Sequence, residues 1–488
     1  MTEQLTEIFN SLSNFIPETL LVVSFFGIVI IELILYKTTE IRQVRESLYW
    51  LSLILLGVIF YWILDQQNID NQYLFGKMLL LDGLAMFIKG IVLLSAMVMV
   101  LHAYLLKKPF SGEYFIIVIG MTLGLCLMAM SVNLLMIYLS IEVVSISSYL
   151  LAAFNQSRKS TESALKYVLF GAVSSAVMLY GMSWLYGITG TLNINEATFT
   201  RLLFQEDGIN LAVLIACLFT LGGFLFKLAS VPFHLWTPDA YEGTPTPIVS
   251  FFSIAPKIAA LAVAIRFLTV APTQLQSIIA VISMASITVG NFSALWQQNA
   301  KRLLAYSTIA QAGFMLIGLV VLSPLAIKAT LFYASTYLFI SMLAFLLIDI
   351  CLGEDAKMNQ LKGLGRQQPF LGIMMILAMI ALTGLPLTVG FTAKFIIFSS
   401  LWEQYQQNNQ PILLWLFTFG LLNTAVALFY YLKMPYLMFF KETGNEENIV
   451  VTPSFGQKIL IVSLAIPIVW LFFQPSGLMN WIEKLLGA

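Results

Sequence analysis

Apolar runs of membrane-spanning length recur along the whole chain, separated by short polar loops. A bilayer core asks for roughly 20 apolar residues per helical span. The pattern predicts fourteen spans with approximate cores at 15–36, 47–64, 78–101, 113–130, 133–153, 164–187, 211–230, 246–268, 275–296, 303–322, 326–350, 370–400, 412–440 and 457–474. Composition agrees: 59% of the residues are apolar and 10% charged, too little polar surface to cover a soluble core, so the solvent is lipid. The first span follows an acidic start (Glu3, Glu7) without a basic region or a small-residue cleavage pattern, and reads as a retained helix. The longest polar excursions, near 188–208 and 352–369, are too short for an independent domain. The expected fold is an all-α polytopic membrane protein with one integral membrane domain.

Alternating the spans sorts the loops into two sets. One carries Lys37, Arg42, Arg45, Lys107, Lys108, Arg158, Lys159, Lys301, Arg302, Lys357, Lys362, Arg366, Lys441 and Lys458; the other carries only Lys77, Arg201, Arg266, Lys328 and Lys484. The positive-inside rule puts the first set in the cytoplasm and both termini outside. In a bacterial-type inner membrane, outside is the periplasm.

The remaining chemistry is sparse. Cys126, Cys217 and Cys351 lie in or beside apolar spans without metal, haem or redox spacing, and the two histidines, His102 and His234, make no metal cluster. There is no phosphate-binding or dinucleotide glycine motif, so no cofactor is expected on this chain. Net formal charge is zero, which offers no argument for a nucleic-acid partner.

Charges inside the spans change the picture. Lys89, Lys166, Lys227, Lys257, Lys394 and Lys433 lie within apolar runs, with Glu32, Asp82, Glu142 and Asp349. Each costs several kcal/mol unless paired or hydrated. Glu32, Asp349 and Lys433, near span ends, are expected to snorkel toward the interface. Asp82 and Lys89, seven apart on one helix face, can neutralise each other.

Glu142 and Lys257 stand at span centres with no charged neighbour on their own helix, so each is expected to find a partner on another helix. Desolvation disfavours the charged form of both while mutual attraction favours it, an arrangement in which small movements shift protons. A static ion pair locking helices together is the competing reading. Lys166 has Glu162 four residues before it, which also fits an ordinary surface pair. Residues 370–402 are too long for one continuous crossing, and Gly384-Leu385-Pro386 with Gly390 predicts a break just before Lys394. FLFKLASVPFHLWTPDAYEGTPTPIV holds the same ingredients in reverse order, Lys227 preceding Pro232 and then His234. Two interrupted segments in opposite senses suggest inverted repeats. His234 either hydrogen-bonds at the interface or relays protons beside a buried lysine.

The segments VPFHLWTPDAYEGTPTP, KRLLAYSTIAQAGFMLIG, GLPLTVGFTAKF and SIEVVSISSYLLAAF resemble the antiporter-like subunits of respiratory complex I, most closely the subunit N type of NADH-quinone oxidoreductase. The resemblance covers nearly the whole chain. It implies fourteen transmembrane helices with two inverted five-helix repeats and broken helices 7 and 12. The corresponding division is 1–110 for the N-terminal helices, 111–270 and 271–440 for the repeats, and 441–488 for the C-terminal helix. It also implies that Glu142 and Lys166 form the glutamate–lysine pair of the first half-channel. Lys227 is then the lysine of broken helix 7, Lys257 that of helix 8 and Lys394 the ionisable residue of broken helix 12. Lys394 favours N over M, whose members carry glutamate there. Many relatives have histidine where this chain has Gln311, which hydrogen-bonds but holds no proton at neutral pH; a relay there would need water or Tyr306.

The function expected is proton translocation driven by quinone reduction elsewhere in the complex, through Glu142, Lys166, Lys227, Lys257, His234 and Lys394, with no redox chemistry on this chain. The expected partners are other complex I membrane subunits, including another antiporter-like subunit, together with lipid, protons and water. The alternatives are a subunit of a multisubunit sodium/proton antiporter or a related membrane-bound hydrogenase, and a structural scaffold.

Overall fold

The structure is a computed structural model describing residues 2–38, 41–66, 71–203, 211–442 and 452–487. The chain begins with α1 (Thr2–Ser13), α2 (Ile16–Thr38) and α3 (Ile41–Asp65). A hairpin of β1 (Gln72–Leu74) and β2 (Leu79–Leu81), antiparallel with Tyr73 opposite Leu80, leads into α4 (Gly83–Leu105). Next come α5 (Gly112–Met130), α6 (Leu134–Ala152), α7 (Arg158–Thr189), the short α8 (Ala197–Leu203) and α9 (Leu211–Leu228). After them stand α10 (Thr237–Gly243), α11 (Thr246–Phe252) and α12 (Ala255–Thr269). The second half holds α13 (Gln274–Leu295), α14 (Ala300–Val321), α15 (Pro324–Leu352), α16 (Leu364–Gln367), α17 (Pro369–Thr383) and α18 (Val389–Asn408). The chain closes with α19 (Pro411–Phe440), α20 (Phe455–Phe473) and α21 (Pro475–Leu486).

Thirteen segments of the described residues are long and apolar enough to cross a membrane, with α11 and α12 together making one of them. The remaining predicted span, 370–400, divides into α17 and α18, so all fourteen predicted segments are helical. Polar residues cap several of them. Asn133 accepts from the Leu135 and Met136 amides at the head of α6, Asn299 from Arg302 at α14, and Ser323 from Ala326 at α15. Such caps satisfy amides that no helical carbonyl reaches.

The helices α12, α14 and α15 are enclosed almost completely, whereas α2, α19 and α20 turn most of their apolar surface outward. Outward residues such as Phe26, Trp415, Phe429 and Trp470 form the surface that lipid or neighbouring protein covers.

Buried charge follows pairings that differ from several expectations. Asp82 does not neutralise Lys89, because seven residues along a helix is about 10 Å, too far for a direct pair. Instead Asp82 caps α4 through the Ala85 amide and grips Arg266 of α12 at 2.6 and 2.9 Å. Lys89 pairs with Glu18 of α2 at 2.8 Å, both fully buried, and donates to Gln66 at 3.1 Å. Asp349 does not snorkel. The end of α15 is covered by α4, and Asp349 is buried against His102 at 3.1 Å and Lys108 at 2.9 Å. Glu32 is half-buried against the Gly112 amide, and Lys433 reaches the Gln297 carbonyl just past α13 at 2.7 Å.

Ion pairs also mark two faces. Lys108 and Lys301 share Glu354, while Lys159 and Arg302 share Glu242, so these members of the basic loop set lie together. Arg266 pairs with Asp82, and Lys328 with Glu483, at the opposite helix ends.

The Lys89–Glu18 pair generates a stability prediction. Lys89→Met leaves a buried carboxylate without its partner and is expected to cost about 3–5 kcal/mol, whereas the double change Lys89→Met with Glu18→Leu recovers most of that loss. Thermal denaturation of the detergent-solubilised chain checks both values.

Candidate functional site

Three lysines sit at three interruptions of the helical framework. The first interruption follows α9: Ala229 has φ 57°, and the chain turns through residues 229–236 before α10. Lys227, in the last turn of α9, is buried and its Nζ has no hydrogen-bond partner. The ring centroids of Tyr149, Tyr167 and Phe226 each lie 6.0 Å away, and Trp236 stacks on Tyr167 at 4.0 Å. Ring faces attract a cation but supply no counter-charge. Glu142 of α6 is the carboxylate that acts on Lys227 electrostatically, and its Oε1 is buried without a partner.

The second interruption was not predicted. The span 246–268 breaks at Ser253–Ile254 into α11 and α12, since Pro256 supplies no amide to continue the ladder. Lys257 stands in the first turn after this break. It was expected to find a partner on another helix, and it finds two, both backbone carbonyls: its Nζ donates to Leu228 of α9 at 3.0 Å and to Thr308 of α14 at 3.2 Å. Leu228 is the last residue of α9, so the first break provides an acceptor for the second lysine.

The third interruption separates α17 from α18. Gly384 ends α17 with φ 85°, a conformation that glycine adopts without strain, and a side chain there would press on Lys394 Cδ at 2.7 Å. At Gly390 the backbone of α17 approaches so closely that a Cβ would meet the Ala381 carbonyl. Lys394 Nζ donates to the freed carbonyls of Thr383 at 2.7 Å and Leu382 at 3.3 Å, with the Phe314 ring 4.5 Å away. A cavity of about 520 Å³ between α18 and α19 opens beside it, lined by Phe391, Phe398, Trp402 and Glu403 among others.

Hydroxyls and one amide occupy the space between Lys257 and Lys394. Thr308, whose carbonyl holds Lys257, meets the Tyr337 hydroxyl through its own Oγ1 at 3.1 Å. One turn along α15, the Tyr333 hydroxyl donates to Gln311 Oε1. Gln311 Nε2 donates to the Tyr431 hydroxyl and to the Leu382 carbonyl, both at 3.0 Å, and Tyr431 meets Ser307 at 2.5 Å. Lys394 and Gln311 therefore share the Leu382 carbonyl. Gln311 is thus a hub whose side-chain partners are Tyr333, Tyr431 and the Leu382 carbonyl rather than Tyr306.

Two expected members stand apart. Lys166 is not paired with Glu142: its ammonium bonds Glu162 and Asp239, each at 3.0 Å, and its side chain is 43% exposed. Asp239 is held in turn by Arg302 at 2.6 Å. His234 lies half-buried in the break after α9 with Nδ1 unpartnered, and the hydrogen-bonded groups between Lys257 and Lys394 do not include it. Residues missed by sequence reasoning are Tyr149, Tyr167, Thr308, Tyr333, Tyr337 and Tyr431. The signal for two of them was present: Tyr333 and Tyr337, four apart in an enclosed helix, place hydroxyls on one face where an apolar residue would pack more cheaply. Among the described residues no group of three His, Cys, Asp or Glu side chains is arranged to hold a metal ion.

The hub can be tested directly. Gln311→Leu strips partners from Tyr333, Tyr431 and the Leu382 carbonyl and is expected to destabilise the chain by about 1–3 kcal/mol, while Gln311→His, which keeps a donor and an acceptor, costs less. Comparative thermal unfolding of the two variants decides.

Residues 131–423 match the family described as NADH:quinone oxidoreductase/Mrp antiporter, TM. The NADH-quinone oxidoreductase subunit N 2 of Chloroherpeton thalassium is 36% identical over 499 aligned residues, covering 98% of this chain and 95% of the relative. A protein of the same name from Sorangium cellulosum is 41% identical over 377 residues, covering 74% of this chain and 73% of its own. Among solved structures, a chain of respiratory complex I from Thermus thermophilus with bound aureothin superposes with a TM-score of 0.81 at 28% identity, over 95% of this chain and 98% of that one. A chain of an archaeal membrane-bound sulfane sulfur reductase shares the fold, with a TM-score of 0.84 at 22% identity over 97% of both. With a match across more than half its length and relatives along nearly all of it, the chain is a multi-pass membrane protein and belongs to the NADH:quinone oxidoreductase/Mrp antiporter transmembrane family.

Proposed function

We propose that the chain is the antiporter-like, subunit N type membrane subunit of an NADH-quinone oxidoreductase, and that it moves protons across the bilayer while quinone is reduced on other subunits. Its curated relatives carry that name along nearly the whole length. The observation that carries the transport reading is the contrast between paired and unpaired buried lysines. Lys89 has a carboxylate at 2.8 Å, as a structural charge in lipid requires. Among the described residues Lys227, Lys257 and Lys394 have no ion pair at contact distance; rings and backbone carbonyls lie at their ammonium groups, and the Glu142 carboxylate acts on Lys227 only through space. Lys257 even sits in the first turn of a helix, the end that carries partial positive charge. Nothing holds these groups permanently in one protonation state, which is the requirement for passing a proton on.

The path runs from Glu142 and Lys227 through Lys257, then the hydroxyls around Gln311, to Lys394. Lys166, half-exposed beside Asp239, is the receiving point for a charge change in a neighbouring subunit. That change alters the field of Glu142 and so the proton affinity of Lys227, in the manner of coupled titration. His234, half-buried in the first break with Nδ1 unpartnered, stands beside the line between the lysines. The lysine before the break in α9 and the lysine after the break in α18 lie in opposite senses, in keeping with inverted repeats at 111–270 and 271–440. The basic loop face is cytoplasmic in this reading, and both termini are periplasmic. Neither redox centre nor cofactor belongs to this chain's role.

Lys227→Ala is expected to lower the number of protons moved per electron pair by the reconstituted complex at normal assembly. Full pumping by that variant overturns the assignment. Glu142→Gln separates transport from scaffolding: an altered proton-to-electron ratio in the assembled complex supports transport, whereas impaired assembly with an unchanged ratio supports a scaffold.

A further inference from the structure

A cavity of about 370 Å³ lies outside the lysine row, where α3, α4, α15, α20 and α21 meet. Among its lining residues only Ser335 and the indoles of Trp470 and Trp481 carry polar side-chain atoms, and the Ser335 hydroxyl donates to the Phe332 carbonyl at 2.9 Å. A buried water needs about two to four polar partners, and an apolar cavity of about 150 Å³ already stays dry and takes up benzene. This cavity is larger and offers water almost nothing, so the occupant that suits it is apolar.

The sequence explains how the space arises. Gly90 stands on the α4 wall, and a Cβ there would meet only the Phe60 ring, at 4.0 Å, so the wall has room for a side chain that the protein does not supply. On the α20 wall, Pro467 withholds an amide from the helical ladder. Helical interiors are otherwise close-packed, and a gap of this size forfeits dispersion contacts on every side.

The helix α21 covers one end. Leu478, Trp481, Ile482 and Leu485 follow helical spacing along one face, with Ile482 fully buried and the Trp481 ring 5.3 Å from that of Phe87. Two contacts fix this cover in place. At Gly83, the first residue of α4, a Cβ would collide with the Leu485 carbonyl, and Glu483 pairs with Lys328 of α15.

The open side faces lipid. Leu64 of α3 and Ile466 and Trp470 of α20 stand there, 41%, 59% and 63% exposed, on two of the membrane-spanning segments. The mouth is therefore continuous with the surface that the bilayer covers. Gly90 lies about 10 Å along α4 from its start, within the roughly 15 Å depth of one leaflet. At that depth the apolar molecule at hand is a lipid tail.

We propose that this cavity is a binding site for one acyl chain of a membrane phospholipid, which enters between α3 and α20 and ends against Phe87 and Gly90 beneath α21. The headgroup stays at the leaflet surface near Trp470, where indoles favour the interface. The bound chain supplies the contacts that Gly90 leaves unmade and ties α20 and α21 to α4 and α15. The site stands whether or not the lysines move protons.

The test uses the assembled complex in vesicles of phosphatidylethanolamine and phosphatidylglycerol, doped with a phospholipid that carries a diazirine near the end of one acyl chain. After irradiation, the labelled residues are mapped by peptide mass spectrometry. Phe87 and Ile91 are 1% and 7% exposed, so the label reaches them through the cavity. Both are expected to be labelled in the wild type. In Gly90→Leu, whose side chain fills the space, their labelling falls about tenfold or more while label on the rest of the complex is unchanged. A wild-type complex labelled elsewhere but not at Phe87 or Ile91 overturns the inference, and a side chain of a neighbouring subunit seated in the cavity gives that result. Equal labelling of the two residues in Gly90→Leu overturns it as well. If Gly90→Leu does not assemble, the wild-type map alone decides.

Discussion

The constraint on which the structure turns is the cost of holding an ammonium group in a helical, lipid-embedded interior. A continuous helix uses its carbonyls internally and leaves no acceptors for such a group. Here the chain interrupts its helices where the lysines are. Leu228 at the end of α9 and Leu382 and Thr383 at the end of α17 turn carbonyls toward Lys257 and Lys394. Ala229, Pro256 and Gly384 are the local causes, two by left-handed backbone and one by lacking an amide. The breaks and the lysines are thus one device: neutral acceptors accommodate the charge without locking it.

Around that device the other buried charges behave conventionally. Asp82–Arg266 ties α4 to α12, Lys89–Glu18 ties α4 to α2, and Asp349 closes on His102 and Lys108. Breaking such pairs strands a charge in the interior, so they stiffen the bundle and keep the three breaks in register. Between the breaks, Tyr337, Tyr333, Gln311 and Tyr431 provide groups that donate and accept in turn. A frame of paired charge surrounds a row of unpaired charge, the division that the proposed transport role requires.

Much of this was legible in the chain itself. The apolar periodicity located all fourteen segments, and Gly384-Leu385-Pro386 with Gly390 marked the break before Lys394. The buried lysines were visible as charges in apolar runs. What could not be read was which charge meets which, because partners come from helices far apart in sequence: Glu18 for Lys89, Arg266 for Asp82, His102 for Asp349 and Asp239 for Lys166. Family likeness paired Glu142 with Lys166, whereas in the structure Lys166 bonds Glu162 and Asp239. The break before Lys257 escaped notice although Pro256 stood in plain sight, since a proline near the start of a helix is ordinarily harmless. Buried tyrosines were hidden for a simpler reason: in an apolar span a phenol reads as packing until its hydroxyl finds a partner.

Proton transfer through this chain requires the unpaired lysines at the helix breaks to change protonation state during turnover. Infrared difference spectra of the assembled complex, recorded on quinone reduction with isotopically labelled lysine, address it most directly. Label-sensitive ammonium bands are expected to appear or bleach with turnover, and part of them to disappear in Lys394→Met. Turnover with pumping but no label-sensitive lysine band would contradict it.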